Sequence, residues 1–220
     1  MKRFSLKYTL LTYRLDQLWF PLAFWAFFVI LTLLLSNEEQ NFDIARGYIG
    51  VAVPLIGGIM AAYAILDDPA IELRFATPIR AAQILFERIS LIFFIQAVSA
   101  LAFIGFALLI GVDFAPLGNI LNLHLSWIVP TIAMIALGTF GAILGAQTMI
   151  GSFFVGLVWI IEIIIRDAMT VNNWKYAYIF MGILNPEHPD LVSNQIALFG
   201  ISAAFLFFTW LLLHRQERYI

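Results

Sequence analysis

The chain has 220 residues, of which 62% are hydrophobic and 12% charged, with a mean hydropathy of +0.93 and a formal net charge of −2. So little polar surface excludes an ordinary soluble domain and fits a polytopic membrane protein. The net charge says little about partners, because in such a protein the placement of Lys and Arg matters more than their sum, and no nucleic-acid partner is expected. Cysteine is absent, which removes disulfides, Cys-ligated zinc and cysteine nucleophiles but leaves the redox compartment open.

From the N-terminus, Phe4, Tyr8, Leu11, Leu15 and Leu18 recur at helical spacing, with Arg3, Lys7 and Arg14 on a neighbouring edge of the same wheel. That is the pattern of a helix lying in the headgroup plane over residues 1–17, although a plain positively charged anchor has the same composition. The apolar run from Leu18 to Leu35 is too long for a signal peptide and lacks a small-residue cleavage site. It is read as a retained span. Further spans are expected at Tyr48 to Leu66, Ile89 to Gly111, Leu125 to Ala146, Gly151 to Ile165 and Gln195 to Leu213. With six spans both termini share a side. That side holds nine basic residues (Lys2, Arg3, Lys7, Arg14, Arg74, Arg80, Arg88, Arg215 and Arg218) against three (Arg46, Arg166 and Lys175) on the other. The bias predicts cytoplasmic termini and a multi-pass protein of the cell (plasma or inner) membrane. Runs this continuously apolar argue for helices over a β-barrel, so the expected fold class is all-α, one domain over residues 1–220.

The longest segment between apolar runs that carries charges of both signs is "DDPAIELRFATPIRAAQILFER", residues 67–88. Asp68-Pro69 and Thr77-Pro78 each join a side chain able to accept from orphan helix N–H groups to a proline that suits the first helical position. Two helices follow: a short one from Pro69 to about Phe75 that needs something to pack on, and one that begins at Pro78 and runs through Arg88 into the third span. A capped, charged pair of this kind on the cytoplasmic face suits contact with a soluble partner; an ordinary solvated loop is the plainer alternative.

These residues carry a family resemblance. "AIELRFATPIRAAQILFERI" resembles the loop between the second and third spans of ABC-2 type ABC transporter permeases, which reads Thr-Leu-Glu, a few apolar residues, Thr-Pro, then a basic residue. Ala70-Ile71-Glu72 stands at the Thr-Leu-Glu position, Thr77-Pro78 at the Thr-Pro and Arg80 at the basic residue, while Pro69 replaces the usual glycine and Glu87-Arg88 the usual Gly-Lys. The resemblance implies a transmembrane subunit of an ATP-driven exporter. It further implies that Pro69, Ile71, Glu72, Arg74, Thr77, Pro78 and Arg80 form a coupling helix against an ATP-binding subunit present in two copies. A second permease subunit, identical or similar, and membrane lipids complete the expected partners. The six-span layout and the interfacial N-terminal helix are similar to the family across the whole chain. The cargo stays open among lipid, glycan, peptide and drug-like molecules.

Between the fifth and sixth spans, residues 166–194 include the apolar run Tyr176 to Leu184, too short to cross a bilayer and broken by Asn185-Pro186 and Pro189. It is expected to dip into the outer leaflet and return, as re-entrant helices of the same family do; an interfacial belt of Trp174, Tyr176 and Tyr178 is the alternative. Glu162 is the clear charge within a span, and Arg166 four residues on would fall on the same helix face. The two are expected to form a structural ion pair or to line a substrate path. Gly138, Gly141, Ala142, Gly145 and Ala146 give small-residue spacings suited to close packing, within the subunit or at a dimer seam.

Enzymatic chemistry is not expected. The lysines are Lys2, Lys7 and Lys175, which leaves no phosphate loop, so ATP and Mg are expected on a partner ATPase. No cofactor, metal site or catalytic residue is expected in this chain. His124, His188 and His214 are scattered, and Ser202 in "GISA" lies about 18 Å of helical rise from His214, too far for a dyad. The rival class is an intramembrane enzyme or a non-transport membrane scaffold.

Overall fold

The computed structural model describes residues 18–35, 37–64, 66 and 81–213. The expected interfacial helix over residues 1–17 and the coupling residues Pro69, Ile71, Glu72, Arg74, Thr77, Pro78 and Arg80 lie outside the described residues. Those that are described form helices and turns, an all-α fold. In chain order the helices are α1 (Trp19–Leu34), α2 (Glu38–Gly47), α3 (Val53–Tyr63), α4 (Ala81–Leu109), α5 (Ile120–Gly145), α6 (Thr148–Ile164), α7 (Arg166–Met169), α8 (Met181–Leu184) and α9 (Leu191–Leu213).

Among the described residues four helical stretches are long and apolar enough to cross a membrane: Glu39–Tyr63, Leu85–Leu109, Ile120–Gly145 and Leu191–Leu213. The apolar helices Trp19–Leu34 and Thr148–Ile164, of 16 and 17 residues, rise about 24–26 Å at about 1.5 Å per residue. All six coincide with the apolar runs of the sequence. The second differs most, beginning at Glu38 instead of Tyr48. The Asn37 side chain accepts from the Glu39 N–H at 3.2 Å, and Asp43 pairs with Arg46 at 2.8 Å one turn apart, so the polar residues before Tyr48 extend the helix and do not form a loop. α4 is described from Ala81 and continues without a break past Arg88, in line with the expected continuity into the third span.

α2 and α3 are joined by a π turn, Tyr48–Ala52. A π turn disturbs the regular backbone ladder, and here a side chain from outside the helix meets it: the Trp159 indole N–H of α6 donates to the Val51 carbonyl at 3.1 Å. Tyr48 is fully buried, its hydroxyl 2.6 Å from Ser99 Oγ of α4. Four aliphatic hydroxyls inside the bundle fold back on their own helix. Thr131, Thr139, Ser202 and Thr209 each donate to the carbonyl four residues earlier at 2.6 to 2.8 Å, which satisfies them without a neighbour.

α5 is the central helix, packed on α3, α6 and α9. Glycines let three backbones converge there. A Cβ on Gly138 would fall onto the Gly58 carbonyl of α3, and one on Gly151 would come within 2.5 Å of the Gly138 carbonyl. The small residues of α5 therefore serve packing inside the subunit. After Gly145 the chain reverses through Ala146, left-handed at φ 52, and α6 runs back along α5. α1 runs parallel to α4, with Leu18 and Phe94 lining one cavity and Trp25 reaching Phe106 at the other end, centroids 6.4 Å apart.

Candidate functional site

α6 delivers the chain to the end of the bundle at which α5 begins. There α8 packs on α5, with Gly182 against Ser126 and Ile183 against Gly50 of the π turn. Residues Tyr178, Ile179, Phe180, Met181 and Ile183 are buried although most of this stretch is not regular helix. Buried backbone of this kind needs partners, and polar side chains supply them. Glu162 Oε2 accepts from the Ile179 N–H at 2.8 Å. The Asn194 amide of α9 donates to the Lys175 carbonyl at 2.7 Å and the Tyr178 carbonyl at 2.9 Å. Across the mouth of the loop Lys175 Nζ meets Asp190 Oδ2 at 2.7 Å. The bond to Asp190 raises the Lys175 value, and the same bond holds the Asp190 carboxyl below its ordinary one.

The expected pairing of Glu162 with Arg166 is not formed. α6 ends at Ile164, and Ile165 leaves helical geometry at φ −102, ψ 23, so Arg166 starts a new short helix and no longer shares a face with Glu162. Its guanidinium lies 3.4 Å from Asp167, both side chains exposed. Glu162 is 3% exposed and is engaged by backbone instead.

Beside Glu162 lies a half-open cavity of about 450 Å³ between α5, α6 and α9, closed at one end by the α6–α9 connection. Ala133 and Leu137 form its floor, and Glu162 is the one ionisable residue in its wall. The sequence pointed to Glu162 by its depth in an apolar run but missed Asn194, Asp190 and Lys175. The polar run Ser193-Asn194-Gln195 at the start of a mostly apolar helix was the available signal.

The two described histidines serve local structure: His124 Nδ1 accepts from the Trp127 indole at 3.3 Å, and His188 Nδ1 from the Asp190 N–H at 3.2 Å; His214 lies outside the described residues. Ser202 is committed to the Leu198 carbonyl. Among the described residues no group of three His, Asp or Glu is placed to hold a metal ion. No protein-family model, curated protein or solved structure matches the chain.

Proposed function

We propose that the chain is the permease subunit of an ATP-driven exporter of the ABC-2 type, crossing the cell membrane six times with both termini in the cytoplasm. In this reading two permeases, identical or similar, stand over two ATP-binding subunits that hold ATP and Mg. Closure of those subunits pushes on residues 69–75 and shifts the spans between two arrangements. The observation that supports it best is the course of the chain between α6 and α9. A short, broken apolar segment is buried against the end of the bundle and held by Glu162 and Asn194, an arrangement suited to capping a path between helices.

The experiment is co-purification with an ABC ATPase encoded beside the gene. Glu72, at the position of the family's glutamate, should accept a charge-assisted bond in a partly dry interface. Truncating one partner of such a contact costs about 2–5 kcal/mol, more than tenfold in binding. Glu72→Ala should weaken ATPase capture at least tenfold with insertion intact, while Asp67→Ala, outside the first short helix, should change little. A chain that purifies alone and leaves the ATPase rate untouched would overturn the assignment in favour of a non-transport membrane protein.

A further inference from the structure

The groove beside Glu162 has a shape and polarity that specify an occupant. Val158, Ile161 and Glu162 line it from α6 with Ile165 just past the helix end, and Leu198, Ile201 and Phe205 from α9. Leu198 to Phe205 is seven helical steps, so the slot runs about 10 Å along the helix axes. Ile161, Ile165 and Ile201 at its rim are exposed, which opens it sideways to whatever surrounds the bundle. Its closed end is built from the α6–α9 connection, where Ala168 and Trp174 line it. A neighbouring spanning helix, about 30 Å long, would run into that end. A flexible aliphatic chain meets no such obstacle.

Polarity sets the direction. Glu162 stands toward the closed end, beside the connection that donates the Ile179 N–H, while Val158 and Phe205 lie deeper and are purely apolar. A carboxyl group that meets a cation offers about four acceptor positions, and the Ile179 and Phe180 N–H groups occupy two. We infer that this slot binds a single-chain amphiphile with a primary amine head, the amine on Glu162 and the alkyl tail along Val158 and Phe205. An amine brings both a hydrogen-bond donor and the charge opposite to the carboxylate, and such bonds are roughly twice as strong as neutral ones. The head then sits near the end of the bundle and the tail toward its middle, the orientation an amphiphile takes in a bilayer. The inference stands whether or not the chain belongs to an exporter.

The test uses the full chain in lipid nanodiscs with three diazirine-tailed probes of equal chain length: a primary amine, an alcohol and a carboxylic acid. After photolysis the labelled peptides are mapped. The amine should label the α6 and α9 walls several-fold more than the exposed face of α4 around Leu108, the alcohol less and the acid least. Glu162→Gln keeps an acceptor for the Ile179 N–H, and should bring the amine down to the level of the alcohol while the alcohol is unchanged. Ala168→Trp, at an exposed position, should lower wall labelling by all three. Equal labelling of groove and α4 face, or an amine preference that survives Glu162→Gln, would overturn the inference. So would crosslinks joining the groove to a second copy of the chain.

Discussion

Glu162 shows how a buried carboxyl group is accommodated in an apolar bundle by backbone donors. One oxygen takes the Ile179 N–H at 2.8 Å, and that N–H has no helical partner because the stretch around it is irregular. Removing the acceptor leaves a buried donor unmet, at a typical cost of about 1–3 kcal/mol. Glu162→Ala should therefore lower the thermal midpoint of the detergent-solubilised chain clearly, and Glu162→Gln, whose amide oxygen still accepts, by much less. Arg166→Ala should leave the midpoint in place, since its partner Asp167 is exposed. Equal losses for Glu162→Gln and Glu162→Ala would show that charge, and not acceptance, is what the position supplies. The residue was legible as a costly charge in a span; its partner was not. Spacing of four implies a shared helix face only while the helix continues, and the break at Ile165 is a backbone event that a run of isoleucines does not announce.

At the scale of elements, the apolar runs gave the positions of the helices, and the polar residues gave their ends less well. A run of Glu, Gln, Asn and Asp before Tyr48 resembles a loop until the Asn37 cap and the Asp43–Arg46 pair are seen to hold it as helix. The small residues of α5 were visible as a stripe, but only three-dimensional contact assigns them to α3 and α6. Gly138→Ala pushes a methyl into the Gly58 backbone, which cannot move aside as a side chain can. It should destabilise the bundle strongly, whereas Gly156→Ala, with open space at its Cβ, should be neutral or slightly stabilising in the same thermal assay. The α6–α9 connection carries a pH signature of its own. Lys175 is raised, so its contribution is full below its ordinary value of 10.5 and fades only as pH rises past the higher folded one. Asp190 is lowered, so its contribution is full above its ordinary value of 3.8 and is lost as pH falls through the still lower folded one. The latch is thus constant through neutrality and opens in acid. The difference in thermal midpoint between the native chain and Asp190→Asn should be flat from pH 5 to 9 and shrink as pH drops below 4. A difference that stays constant into that acid range would place the effect of Asp190 elsewhere than in the Lys175 pair.

At the scale of the whole molecule, the decisive question is how often the chain crosses the bilayer. The four longest helical stretches alone would put Gln147 and Glu187 on the same side, because the chain between α5 and α9 would then have to return to the side it left. Six crossings put them on opposite sides. Six is the proposed number, and the packing is compatible with it: α6 runs antiparallel to α5, and α8 rests on Ser126 near the start of α5 while Gly145 marks its far end, so the two ends of α6 lie at opposite poles of the bundle. The shortfall of α1 and α6 against a core of about 30 Å is a few ångströms, which a bilayer meets by thinning at fractions of a kcal/mol per Å. Because the chain has no cysteine, single substitutions report without background, and both Gln147 and Glu187 are exposed. In intact cells a membrane-impermeant maleimide should label Glu187→Cys and leave Gln147→Cys unlabelled until the cells are opened, which also fixes the orientation expected from the placement of Lys and Arg. Labelling of both from the same side would remove α6 from the crossings and with it the basis for a capped export path, while the reverse pattern would keep α6 as a crossing and overturn the orientation.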